Sequence, residues 1–349
     1  MSKNHTIHGL RGLCALMVFV GHVISMSING GYLTFNEHST LVLAEIGVDV
    51  FFMISGYLIV QSLVKHRKVG QFFYNRFIRI YPVYLPLLVT MFIVGPIIHF
   101  DWLANLTTSE YILNFIYGLL MLPGVFPLEE AVRNSRTLSY EFAFYLVSVI
   151  FFVSLRPLNN KYVKWILITI GLIISLAVII RLPRALFFLT GVLAYFLSEK
   201  YNFLPSKFYS LLSLIIIYIS TYFGDIYFSI LLGVFFFYLV IKEQGYLSSV
   251  LKTKFFQYFG TLSYSFYLLH PFALFPFQRV MAKFNLPDFV SVSITFVGGL
   301  LIATVISHLS YELIENRFTN RFLKRKKISN VPHATVPTPA SAPQTTPLS

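Results

Sequence analysis

Gly9-Leu-Arg11-Gly-Leu-Cys-Ala-Leu-Met-Val-Phe-Val-Gly-His22 is the stretch that decides the fold. Every residue between its arginine and its histidine is apolar or glycine, and the apolar run continues to Ile28 without a small-residue cleavage site. A membrane-spanning helix has this composition, whereas a cleaved leader ends in such a site. Ionisable groups within a span are costly and point to function. Arg11 and His22 are eleven residues apart. At about 100° and 1.5 Å per residue they return to within about 20° of one face, about 16 Å apart along the axis.

The rest of the chain agrees. Hydrophobic residues make up 56% and charged residues 12%, with a mean hydropathy of +0.71. A soluble domain carries about 25% charged residues. The fold class is therefore all-α, a polytopic membrane protein. Ten spans are predicted, at 9–28, 42–64, 80–99, 138–155, 164–180, 185–199, 208–223, 226–241, 256–279 and 290–313. Several fall short of the roughly 20 residues a straight crossing needs. Tyr111 to Leu122 is a shorter apolar piece between polar loops, expected at the interface or re-entrant. With the N-terminus in the cytoplasm, 21 of the 27 lysines and arginines fall on the cytoplasmic side. That bias places both termini inside. It also accounts for the net charge of +13 through topology and anionic headgroups, with no nucleic-acid partner. Residues 1–327 form the membrane domain, and the Pro-, Thr- and Ala-rich 328–349 read as a disordered cytoplasmic tail. The single cysteine, Cys14, lies within the first span and reads as a small buried apolar residue.

Polar residues within the spans form constellations. His22 is expected in the outer half of the bilayer, and Glu141, near the start of the fourth span, at similar depth. A carboxylate beside a histidine orients the ring and raises its basicity. Alternatively, each makes its own hydrogen bond to a neighbouring helix. In Gln71-Phe-Phe-Tyr-Asn-Arg76-Phe-Ile-Arg79-Ile-Tyr-Pro82, Arg76 and Arg79 share a helical face at the membrane edge where Arg11 enters. Three arginines at one depth suit a polyphosphate headgroup, or ordinary positive-inside anchoring. Gly47-Val-Asp49-Val-Phe-Phe-Met-Ile-Ser55-Gly56-Tyr57-Leu58 carries an acid that wants a partner, and small residues suited to close helix packing. Gly260-Thr-Leu-Ser263-Tyr-Ser-Phe-Tyr267-Leu-Leu-His270-Pro271 sets a polar stripe before a proline that frees a backbone carbonyl. Glu312 and Glu315, in the last span, are expected to pair with inner-face lysines or arginines. No phosphate-cradling glycine loop, metal-ligand spacing or Gly-x-Ser-x-Gly elbow occurs.

Taken in order, these motifs resemble the integral-membrane acyltransferase-3 family, from His8 to about Phe318. Arg11-x10-His22 looks like its Arg/Lys-x10-His signature. Phe51-Phe52-x-x-Ser55-Gly56-x-Leu58, Arg76-x-x-Arg79 and Thr137-Leu-Ser139-Tyr-Glu141-Phe-Ala-Phe-Tyr145 are similar to the next three motifs. Gly260 to Pro271 and Tyr311 to Arg317 match the late ones. Arg136 stands where the family usually has tryptophan, and Thr137 where it often has serine. Larger members of that family carry an extracytoplasmic esterase-like domain after the last span, where only the tail is expected here.

The resemblance implies transfer of an acyl group, usually acetyl from acetyl-CoA, to a hydroxyl of a cell-envelope or exported polysaccharide. Acetyl-CoA is then a co-substrate, and no bound cofactor or metal is expected. Arg11, Arg76 and Arg79 would hold the CoA phosphates. His22 would act as general base, or as an acyl-carrying nucleophile, with Glu141 assisting. Asp49, Ser55, Arg136, Ser139, Tyr267 and His270 would support the site or contact substrate. The expected location is the bacterial cytoplasmic (inner) membrane, with lipids and a glycan acceptor as partners. Two alternatives stay open: a small-molecule or lipid acceptor at the same site, or a proton-coupled transporter, which predicts inverted repeats that the chain does not display.

Overall fold

The computed structural model describes residues 4–34, 37–66, 68–157, 160–203, 207–284 and 286–321. The tail expected at 328–349 lies outside them. Among the described residues there is no β-strand. The helices are α1 (His5–Asn29), α2 (Glu37–His66), α3 (Val69–Ile97), α4 (Thr108–Leu119), α5 (Arg136–Ser154), α6 (Lys161–Arg181), α7 (Leu186–Lys200), α8 (Tyr209–Tyr222), α9 (Ile226–Ile241), α10 (Gly245–Leu251), α11 (Lys254–Met281) and α12 (Asp288–Ser310). A π-turn, Tyr311–Asn316, extends α12. The starts follow capping chemistry. Asn4 accepts from the Ile7 N–H, Asn160 from Tyr162 and Asp225 from Phe228, and Thr107 and Glu110 form a capping box on α4.

Helices occupy all ten predicted segments. Among the described residues, six helical spans are long and apolar enough to cross a membrane by length and composition, or seven if α9 and α10, bent by 61°, count as one. α7 and α8, at 15 and 14 residues, do not reach that length. The division of 208–241 into two helices stands. α3 begins eleven residues before the predicted 80, so Arg76 and Arg79 belong to the helix itself.

α1 is the centre of the bundle, flanked by α2 and α11. Gly12 makes the second contact possible: a Cβ there would lie 2.6 Å from the Phe256 carbonyl and from the Gly260 nitrogen. α2 and α7 cross as closely, since a Cβ on Gly56 would lie 2.1 Å from the Phe188 carbonyl oxygen. Small residues let membrane helices approach this way, and Gly56 packs as expected. α6 stands at the rim, with Trp165, Ile173 and Ile180 exposed, an apolar surface suited to lipid.

α4 explains how the site is placed. It runs back alongside α3, with the Tyr111 hydroxyl donating to the Phe92 carbonyl and the Tyr84 hydroxyl to that of Gly118. The loop that follows buries Met121, Ala131, Val132 and Ser135. α5 therefore starts from a partly buried loop, with Arg136 exposed and Leu138, Ser139 and Tyr140 buried. At 12 residues, α4 is not among the helices long enough to cross.

Candidate active site

Three spaces lie along α1. A cleft of about 620 Å³ opens at its N-terminal end, lined by His8, Arg11, Gln61, Lys65, Arg76 and Arg79. A cleft of about 310 Å³ opens at the other end, lined by His22, Ser25, Asn29, Glu130, Arg133 and Asn134. Between them is a cavity of about 60 Å³, lined by Arg11, Ser55, Arg79, Thr137, Glu141 and Tyr267. Arg11 and Arg79 line both the basic cleft and the central cavity, so they form the wall between the two.

The three predicted arginines are brought together. The Arg76 guanidinium sits over the rings of Phe72 and Tyr145, each 5.4 Å from the centroid, and lies 3.5 Å from the Leu58 carbonyl oxygen. Cation–π contact of this kind holds a guanidinium without neutralising it. Glu315 and Glu141 supply charge opposite Arg11. Glu315 is held by the Ser265 hydroxyl at 3.0 Å, and the π-turn that carries it sits at the end of α12. π-turns are frequent at functional sites.

Glu141 is held by two hydroxyls. Ser55 Oγ donates to it at 2.9 Å, and Tyr145 donates to the same oxygen. His22 and Glu141 are not joined by a hydrogen bond, and they line different spaces. The similar depth expected for them assumed that α5 starts at the surface. The loop before α5 is partly buried, and Glu141 shares the central cavity with Ser55 and Arg11, one turn beyond the Thr137 that bonds Tyr267 at 2.9 Å.

At the other end, the ring centroid of His22 lies 5.3 Å from that of His270. His270 is fully buried, with its Nδ1 2.9 Å from the Phe266 carbonyl oxygen. Pro271 has no N–H for the Tyr267 carbonyl, and Asn134 Nδ2 takes up that oxygen at 3.5 Å. Asn134 also reaches His22 through its side chain. Tyr267 separates the central cavity from the histidines: its hydroxyl meets Thr137 and its ring packs 6.2 Å from His270.

The remaining predicted residues divide. Asp49 has its partner, since Arg184 Nη1 lies 2.5 Å from Asp49 Oδ2 while Nη2 lies 2.5 Å from Glu45. This ion group pins α2 to the start of α7, away from the three spaces. Arg136 is 60% exposed and pairs with Glu130, which in turn lines the His22 cleft. Ser139 is buried in α5. Sequence reasoning missed Arg184 and Asn134, whereas Glu315 meets inner-face arginines as expected. Arg184 was findable, because an acid within a span demands a cation and Arg184 opens the span that α2 packs on. Asn134 carried no signal. Among the described residues no group of three or more His, Cys, Asp or Glu could hold a metal.

The chain is 26% identical to the peptidoglycan O-acetyltransferase OatA of Listeria monocytogenes, over 91% of this chain and 57% of the relative. It is 30% identical to the acyltransferase MdmB of Streptomyces mycarofaciens, over 46% of this chain and 42% of the relative. It is 24% identical to the O-acetyl transferase of Shigella phage Sf6, over 92% of this chain and 98% of the relative. The chain thus spans about half the length of the first two curated relatives. No solved structure matches it. Residues 4–308 match the family described as "Acyltransferase domain", and with nearly the whole membrane domain covered the chain belongs to the integral-membrane acyltransferase-3 family.

Proposed function

We propose that the protein is a membrane O-acyltransferase that moves an acetyl group from acetyl-CoA, bound from the cytoplasm, to a hydroxyl of a cell-surface or exported glycan. The carrying observation is the order of the three spaces along α1, with the basic cleft at one end and the His22 cleft at the other. In this reading α1 crosses the bacterial cytoplasmic membrane, ten helices cross in all, and both termini face the cytoplasm.

Arg11, Arg76 and Arg79 hold the CoA phosphates, for which a guanidinium fork is suited. The pantetheine arm follows α1. The central cavity, at about 60 Å³, is too small for it, so Arg11 and Arg79 move aside when the donor binds, guided by Glu141 and Glu315. Glu141 assists from the arginine side and not through His22. In the reaction His22 takes the proton of the acceptor hydroxyl. The hydroxyl oxygen bonds to the thioester carbonyl carbon, the C–S bond breaks, and the imidazolium returns its proton to the departing CoA thiolate. Glu130, Arg133 and Asn134 face the glycan.

The test uses purified protein in lipid nanodiscs. CoA at a hundred times its Kd stabilises by about 2.7 kcal/mol, which a thermal melt detects, and Arg76→Ala with Arg79→Ala abolishes the effect. Mass spectrometry of envelope glycans then shows one acetyl group fewer in cells carrying His22→Ala. CoA without any effect on the melt would refute the reading and favour a proton-coupled transporter. Acetyl transfer detected only on lipids or small molecules would replace the glycan acceptor while keeping the chemistry.

A further inference from the structure

The His22 end holds a second imidazole that the reaction above does not use. His270 is fully buried. Its Nδ1 lies 2.9 Å from the Phe266 carbonyl oxygen. A carbonyl only accepts, so Nδ1 carries the proton and Nε2 keeps a lone pair. That Nε2 is buried and has no hydrogen-bond partner. Phe19, Phe266 and Tyr267 pack around the ring. A buried acceptor left unpaired in aromatic surroundings is costly and calls for an explanation.

His22 supplies one. The two imidazole centroids are 5.3 Å apart, with planes tilted by 42°. Two imidazoles facing nitrogen to nitrogen across a hydrogen bond of ordinary length have their centroids at this separation. The movement needed is a turn of the His22 ring about its Cβ–Cγ bond, which is a soft torsion. The His22 cleft leaves space for it.

We infer that His270 is a positioning residue: its Nε2 accepts the N–H of His22 and thereby fixes which His22 nitrogen presents its lone pair to the outer cleft. His270 does for the base what a carboxylate does in a hydrolase triad, using a neutral ring that needs no counter-charge in the bundle. Its own tautomer is set by Phe266, one turn back on α11. Asn134 stands on the cleft side of His22, on the carbonyl that Pro271 leaves free. It is the competing acceptor against which the inference is tested. The purpose of the lone pair rests on the acyltransferase reading, but the hydrogen bond does not.

The experiment is 15N NMR of histidine-labelled protein in lipid nanodiscs at alkaline pH, with His22→Ala identifying the His22 signals. In the wild type His22 shows a single neutral tautomer. His270→Leu releases both tautomers, and His270→Gln, whose amide oxygen reaches toward the place of Nε2, restores one. In acetyl transfer, His270→Leu lowers kcat by roughly ten- to a hundredfold at unchanged KM for acetyl-CoA, and His270→Gln recovers most of it. A wild-type spectrum with both tautomers overturns the inference without any variant having to fold. So does a His22 signal that responds to Asn134→Leu and not to His270→Leu. If the tautomer pattern holds but no acetyl group is transferred, the functional reading falls and the hydrogen bond stands.

Discussion

Arg184→Ala is the substitution with the sharpest structural consequence. One guanidinium forks across two carboxylates a turn apart on α2, at 2.5 Å from each. The Asp49 side chain is only 1% exposed, and its Oδ1 already has no hydrogen-bond partner. Removing the guanidinium leaves an uncompensated charge in the bundle, which costs about 3–5 kcal/mol. Glu45, at 41% side-chain exposure, adds no more than about 1 kcal/mol. Asp49→Asn is milder: it keeps the shape, removes the buried charge, and leaves Arg184 bonded to Glu45, for a loss of about 1–2 kcal/mol. The decisive comparison is the double variant. If the buried charge is what hurts Arg184→Ala, adding Asp49→Asn restores part of the lost stability. Denaturant unfolding in detergent micelles, followed by tryptophan fluorescence, reads all three. A double variant no more stable than Arg184→Ala alone would refute the argument, as would a loss under about 1 kcal/mol for Arg184→Ala.

Two further outcomes come from packing and from the central cavity. Gly191→Ala places a Cβ 2.0 Å from the Met53 carbonyl oxygen, forces α2 and α7 apart and costs about 1–3 kcal/mol in the same unfolding assay. Gly70→Ala, with nothing within 4 Å, leaves stability unchanged or raises it by up to about 1 kcal/mol. Ser55→Ala and Tyr145→Phe each remove one of the two hydroxyls holding Glu141. Each costs about 1 kcal/mol. A double-mutant cycle gives a coupling above about 0.5 kcal/mol, as expected for neighbours sharing a partner.

Helix positions were legible because apolar runs are local signals. The arginine cluster was legible for the same reason: Arg76 and Arg79 are three residues apart, so one helical turn settles their common face. Depth was not local. Counting residues from a helix start gives depth only if that start is at the surface. α5 breaks the assumption because the loop before it is partly buried, at Val132 and Ser135. The same feature hid Asn134, a loop residue with no periodicity, which ends beside His22 because the loop dips inward. Asp49 announced that it needed a cation, while the choice of Arg184 over other basic residues was made by the crossing of α2 and α7.

α11 shows why apolarity undercounts helices in this bundle. It is 28 residues long yet is not among the spans picked out by length and composition. Its course is nonetheless tied to α1 over most of the length of both. Gly260 meets Gly12 and His8, Phe266 packs on Phe19, His270 on His22, and Gln278 donates to the Met26 carbonyl. Whatever depth α1 traverses, α11 traverses beside it. Its Ser263, Tyr264, Tyr267 and His270 lower its hydropathy, but all four are buried and none faces lipid. Ser263 and Tyr267 line the central cavity, Tyr264 donates to the Ile80 carbonyl of α3, and His270 lies beside the His22 cleft. A helix surrounded by protein is free of the demand for apolarity that lipid imposes. The polar stripe that removes α11 from a hydropathy count is thus the stripe that connects the central cavity to the histidine pair.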